Sequence, residues 1–136
     1  MLIYGIEESI PARIPLRTLR EIVKSYRYDG VDVVAIWAHP YRFGAPLVDY
    51  KEWMDFVDAI EGFNGNCTHE ENIMAVELAR EMAKPFVAGS DAHRACDVAR
   101  FYNYSEFPIK SVQDLKRAIL KGAIKPACLE KVLKEV

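Results

Sequence analysis

Two side chains capable of acid–base or metal chemistry follow the apolar segment 85–88, namely Asp91 and His93. If that segment is a buried strand, both lie at its carboxyl end, where α/β folds bind their ligands. The apolar segment 33–37 ends in the same way, at His39. In the alternative interpretation, Asp91 caps a helix and His93 is a surface residue. The repeated arrangement favours a site.

Two further apolar segments also end in polar residues. Glu7 follows segment 2–6, and Glu61 and Asn64 end the segment that starts at residue 59. In a parallel sheet all of these endings lie along one edge, and carboxylate and imidazole groups there are ligands for divalent zinc, manganese or iron. Bridged ions of this kind activate water and bind phosphate. The candidate ligands are Glu7, His39, Asp91 and His93, whereas we expect Glu61 and Asn64 to shape the edge.

The elements that must position these residues alternate between apolar runs and amphipathic segments. Predicted strands cover residues 2–6, 31–37, 59–63 and the run around Phe86, with a short last strand at 123–126. Predicted helices cover residues 16–28, 49–57, 68–83, 111–121 and 129–136. Thr68 and Glu71 have the spacing of a capping box. The fold class is therefore α/β, a mostly parallel β/α layer with helical crossovers, and both an open sheet and an incomplete barrel fit the pattern.

Length, net charge and cysteine count limit the classes of function that this chain can have. The 136 residues fit one domain, and the net charge of −2 gives no electrostatic reason to bind nucleic acid or a membrane. The three cysteines are odd in number and lack CxxC spacing, which favours reduced thiols over a cysteine zinc site. No signal peptide is recognisable at the N-terminus, so we expect a cytoplasmic protein.

The same motifs resemble a known family. Ala38-His39-Pro40, Gly89-Ser90-Asp91-Ala92-His93 and the Gly5-x-Glu7 strand end are similar to motifs of the PHP (polymerase and histidinol phosphatase) superfamily. The run from Glu70 to His93 and the segment 111–122 extend the likeness over nearly the whole chain. The resemblance implies the later part of a distorted (β/α)7 barrel that carries two or three divalent metal ions and hydrolyses phosphate esters.

The resemblance also implies roles for single residues. Glu7 would bridge metal ions, His39 would be a metal ligand, and Asp91 and His93 would be both ligands and catalytic residues. Arg42, three residues after His39, is a candidate phosphate contact, although a solvated arginine fits its position equally well. Arg94 is expected to be structural, and His69 is explained better by the start of a capped helix than by metal binding.

One departure from the family bears on activity. Family members begin with a His-x-His strand, and this chain has no such motif. The resemblance therefore implies that residues 1–136 form one PHP-like domain without the N-terminal part of the barrel. A misassigned start, a fragment boundary, a split gene and a natural truncation all fit this pattern.

Two functions follow from this partial match. One is a metal-dependent phosphoesterase that is incomplete in this chain, and the other is a non-catalytic PHP-like fragment or interaction domain. The expected partners are a phosphate-ester small molecule and a second copy of the chain. We expect the second copy because uncovered strands tend to pair with other chains. We expect no membrane contact.

Overall fold

The computed structural model describes residues 1–11, 13–45 and 54–129. Within these ranges the chain forms β1 (Leu2–Tyr4), α1 (Leu16–Tyr28), β2 (Val34–Trp37), β3 (Ala59–Asn64), α2 (His69–Glu81), β4 (Phe86–Gly89), β5 (Phe101–Ser105), α3 (Val112–Leu120) and β6 (Ile124–Cys128). Short 3-10 turns cover Met54–Phe56 and Ala95–Asp97. The predicted α/β class is confirmed. In the part of the chain that is described, no helix is long and apolar enough to cross a bilayer.

The main sheet has the strand order β1-β2-β3-β4. Strands β2, β3 and β4 are parallel, with Ile36 opposite Ala59 and Ile60 opposite Phe86. Their carboxyl ends therefore lie along one side of the sheet, which we call the carboxyl edge. Among the described strands, β1 and β4 end the order, so this sheet is open.

Strand β1 departs from the expected direction. It runs antiparallel to β2, with Leu2 opposite Ile36 and Tyr4 opposite Val34. Glu7 therefore follows β1 at the side of the sheet opposite the carboxyl edge. The two sides are about 10 Å apart, because the four residues of β2 are spaced ~3.3 Å from one to the next along the strand. The prediction that Glu7 shares an edge with the other candidate ligands is wrong.

A close contact at Gly5 accounts for the direction in which the chain leaves β1. Gly5 has φ = 94°, and a Cβ atom there would lie 2.1 Å from the carbonyl oxygen of Asp32. Only glycine allows this approach to the segment that leads into β2. The chain therefore leaves β1 beside the start of β2 and not beside its end.

Strand β2 is buried on both faces of the sheet, as its nearly continuous apolar sequence predicts. Successive side chains of a strand point to opposite faces. Val33 and Ala35 pack with α1 and α2, while Val34 and Ile36 pack with α3. The hydrophobic cluster that contains Val33 and Ala35 also includes Val23, Met54, Phe56, Val57, Ile60, Leu78 and Ala79.

Two of the helix starts follow the sequence closely. At α2, the Glu71 N–H donates to Thr68 Oγ1 at 3.2 Å, and the Thr68 N–H donates to Glu71 Oε2 at 2.8 Å. The predicted capping box is thus confirmed. At α3, the Asp114 N–H donates to Ser111 Oγ at 3.1 Å. The side chains before each helix bind N–H groups that the helix itself leaves free.

The segment before α3, for which the sequence predicted neither strand nor helix, contains strand β5, which pairs antiparallel with β6 in five residue pairs. The Asn103 side chain of β5 accepts from Ala88 N at 2.8 Å and donates to Ala88 O at 2.7 Å. This amide therefore binds both backbone groups of Ala88 in β4. Of the predicted helix 49–57, residues 54–56 form a 3-10 turn and residues 49–53 lie outside the described ranges, as do residues 130–136 of the predicted last helix.

Candidate functional site

The carboxyl edge carries three of the four candidate ligands. His39 follows β2, and Asp91 and His93 follow β4. His39 and Asp91 both have positive φ, at 33° and 47°. Residues other than glycine rarely adopt such values, and they persist where the surrounding structure enforces them. Backbone strain of this kind concentrates at functional sites.

The carboxylate of Asp91 forms an ion pair with the guanidinium of Arg42. Both side chains are about three-quarters buried, with exposed fractions of 25% for Arg42 and 23% for Asp91. The Arg42 guanidinium also lies 5.5 Å from the centre of the Phe43 ring. Arg42, a candidate phosphate contact from the sequence, is therefore paired with Asp91.

His93 is oriented by the backbone of Asp91. Its Nδ1 lies 2.8 Å from the Asp91 carbonyl oxygen, and the Asn66 side-chain amide donates to the same oxygen. A carbonyl oxygen only accepts hydrogen bonds, so His93 Nδ1 donates to the Asp91 carbonyl oxygen, and Nδ1 also lies 3.2 Å from the Asn66 side-chain nitrogen. Nε2 is the ring nitrogen that makes neither of these contacts.

Glu61 fixes the end of β2. It is 5% exposed, and its Oε2 accepts from His39 N at 2.8 Å and from Asn64 Nδ2 at 3.0 Å. A Cβ atom on Gly89 would lie 2.0 Å from Glu61 Oε1. Glu61 therefore shapes the carboxyl edge, as expected, and positions His39 through its backbone.

The turn after β3 connects that strand to β4. Asn66 N donates to Asn64 Oδ1 at 2.8 Å, and Gly65 N donates to Gly89 O at 3.0 Å. The buried Asn72 side chain binds both Asn64 N and Asn64 O, at 2.9 and 3.2 Å. Of these asparagines, only Asn64 was expected from the sequence to shape the carboxyl edge. The contact of Asn66 with Asp91 is a site feature that the sequence did not indicate.

Cys67 belongs to the same turn, but its thiol is not activated. Burial, reinforced by the nearby Glu71 carboxylate, raises the pKa of Cys67 to about 11. The thiol is therefore protonated at neutral pH, and it is the thiolate that acts as a nucleophile or metal ligand.

Two further polar residues, Arg94 after β4 and His69 at the start of α2, are explained by the local structure. Arg94 donates to Asp97 at 2.9 Å, and this guanidinium holds the pKa of Asp97 at about 2, below its ordinary value. This pair agrees with the structural role expected for Arg94. His69 is the exposed first residue of α2.

As arranged, these side chains do not fit a divalent ion. Among the described residues, no three or more His, Cys, Asp or Glu side chains form a group that could hold one. The Asp91 carboxylate forms an ion pair with Arg42, and Glu7 lies at the side of the sheet opposite the carboxyl edge. The assignment of Glu7, His39, Asp91 and His93 as metal ligands stays a prediction.

Comparison with known proteins supports the family resemblance in the second half of the chain. Residues 69–124 match the family model described as PHP-associated. This segment runs from the start of α2 to the start of β6 and includes Asp91 and His93. A search of curated proteins found no match. The predicted likeness to a C-terminal PHP portion is confirmed over this segment.

The fold also has a counterpart among solved structures. The crystal structure of PsfC from Pseudomonas syringae PB-5123 superposes with a TM-score of 0.71 at 19% sequence identity, over 93% of this chain and 50% of that one. At this identity the likeness concerns the fold alone. The chain spans about half the length of the PsfC chain.

Proposed function

We propose that this chain, whose residues 69–124 match the PHP-associated family model, is a metal-dependent phosphoesterase-type domain with part of the ligand set that the family resemblance implies. The observation that carries the proposal is the position of His39, Asp91 and His93, which follow the parallel strands β2 and β4 at the carboxyl edge. His39 and Asp91 also have positive φ, as do three other non-glycine residues of the described ranges, Arg13, Ala83 and Ala99.

The chemistry of the residues supports a phosphate ester as the substrate. The Arg42 guanidinium presents several N–H donors in the fork geometry that suits phosphate oxygens. His93 Nδ1 contacts the Asp91 carbonyl oxygen, which leaves Nε2 as the ring nitrogen that can face a ligand. The proposed cofactor is a divalent zinc, manganese or iron ion held by His39, Asp91 and His93. For these three residues to hold an ion together, the Asp91 carboxylate must leave its ion pair with Arg42.

Hydrolysis of p-nitrophenyl phosphate in the presence of manganese tests this function. We expect slow, metal-dependent hydrolysis by the wild-type chain, because only part of the ligand set is present. Asp91→Asn and His93→Gln should reduce it to the rate of buffer, whereas His69→Gln, at an exposed helix start, should leave it unchanged. Hydrolysis that survives Asp91→Asn would contradict the proposal, and wild-type protein without any hydrolysis would favour the non-catalytic alternative.

We also propose that the chain pairs with a second copy through β1. Among the described strands, β1 pairs only with β2, and its Leu2 and Tyr4 are each 42% exposed. In β4, at the other end of the sheet order, the Asn103 amide binds the N–H and C=O of Ala88. Two β1 strands related by a two-fold axis present the same surface to each other.

Light scattering tests the pairing. We expect a dimer that Leu2→Lys or Tyr4→Lys dissociates, because charged side chains on an edge strand oppose pairing. The matched change Tyr28→Lys, at a 92% exposed residue at the end of α1, should leave the dimer intact. A monomeric wild-type chain would contradict this proposal.

A further inference from the structure

The ion pair between Arg42 and Asp91 occupies the place where the proposed function needs a cation. Arg42 comes from the turn after β2, in which Arg42 N donates to His39 O at 3.3 Å. Its guanidinium lies between the Asp91 carboxylate and the exposed ring of Phe43. An arginine side chain stays protonated at any physiological pH. Asp91 therefore has a permanent internal counter-ion.

The backbone of Asp91 is held in place at the carboxyl edge. It has positive φ, and its carbonyl oxygen accepts hydrogen bonds from Asn66 and His93. A metal ion that binds the Asp91 carboxylate must therefore compete with the ion pair that this carboxylate forms with Arg42.

We infer that Arg42 decides which cation Asp91 holds: it substitutes for a divalent ion at the carboxyl edge and keeps the affinity of this chain for metal low. The inference rests on the proposed function, since it concerns the same site. It also explains why the described residues assemble no metal-binding group although three candidate ligands share one edge.

The affinity for manganese, measured by calorimetry, tests the inference directly. Arg42→Gln removes the competing charge and leaves Asp91 intact, so we expect manganese to bind about tenfold more tightly than to the wild type, equivalent to about 1.4 kcal/mol. Arg42→Lys keeps a positive charge and should bind weakly, like the wild type. Arg94→Gln is the matched control, because it removes an arginine charge nearby whose partner is Asp97.

A second variant keeps the test decisive if Arg42→Gln folds poorly. Phe43 is 88% exposed, so Phe43→Ala costs no core packing, yet it removes the ring beneath the guanidinium. We expect it to raise manganese affinity by a smaller factor, and manganese should raise the melting temperature of the variants more than that of the wild type. Equal affinities in the wild type, Arg42→Gln and Phe43→Ala would overturn the inference.

The result is separable from that of the phosphatase assay. Loss of hydrolysis in Asp91→Asn with no gain in metal affinity in Arg42→Gln would overturn the role of Arg42 alone. A gain in affinity without Asp91-dependent hydrolysis would contradict the proposed function and leave the competition between Arg42 and metal in place.

Discussion

Gly65→Ala is expected to lower the free energy of unfolding by about 3 kcal/mol, at the upper end of the usual cost of overpacking. A Cβ atom at this position would lie 2.3 Å from the carbonyl oxygen of Ser90 and 3.1 Å from its carbonyl carbon. Both are backbone atoms, so no side-chain rotation relieves the clash. Because Ser90 precedes Asp91, the strain falls on the candidate site as well as on the turn.

Urea denaturation with Gly30→Ala as the control measures this effect. Gly30 has φ = 81° but nothing within 4 Å of a built Cβ atom, so alanine there costs only the conformational penalty of about 1 kcal/mol. Similar losses in the two variants would show that the turn after β3 does not pack against the end of β4 as described.

Arg27→Ala is expected to destabilise the protein by about 3 kcal/mol, because it leaves a largely buried carboxylate and carbonyl groups without their partner. The Arg27 guanidinium donates to Phe56 O at 2.7 Å, to Val33 O at 3.1 Å and to the Asp58 carboxylate. Asp58 in turn accepts from Ala35 N at 2.8 Å. One side chain of α1 thus holds the starts of β2 and β3, whose carboxyl ends lead to His39 and Asn64.

Arg17 on the same helix provides the matched control for this prediction. It is exposed, and an exposed substitution usually changes stability by no more than about 0.5 kcal/mol. Thermal or urea unfolding of Arg17→Ala and Arg27→Ala should therefore separate clearly. Equal stabilities of the two variants would contradict the described role of Arg27.

Local sequence signals predicted much of the fold. The capping box at Thr68 and the Ser111 cap depend on residues three positions apart, and β2 is marked by its continuous apolar run. Strand β5 was missed because its pattern mixes aromatic and polar side chains, and its Asn103 binds the backbone of Ala88 fifteen residues earlier in the chain. Contacts at that separation leave no local periodicity to read.

The direction of β1 has a similar explanation. A three-residue strand carries too little pattern to specify parallel or antiparallel pairing. Its orientation depends on the packing of Gly5 against Asp32, a contact between distant parts of the sequence. This single difference places Glu7 away from the carboxyl edge.

The sequence predicted which residues lie at the candidate site but not the ion pair between Arg42 and Asp91. The strand ends at His39, Asp91 and His93 were visible from the sequence, because parallel strands share an edge. The ion pair of Arg42 with Asp91 joins residues 49 positions apart. No spacing rule indicates that an arginine, and not a metal ion, holds that carboxylate.

The most direct test of the central claim is a zinc titration followed by long-range proton–nitrogen NMR of the three histidine rings. We expect excess zinc to shift the NMR signals of the ring nitrogens of His39 and His93, while those of His69 on α2 do not respond. Asp91→Asn should weaken the response of both. A zinc response centred on His69, or none at His39 and His93, would contradict the assignment of the carboxyl edge as a PHP-type site.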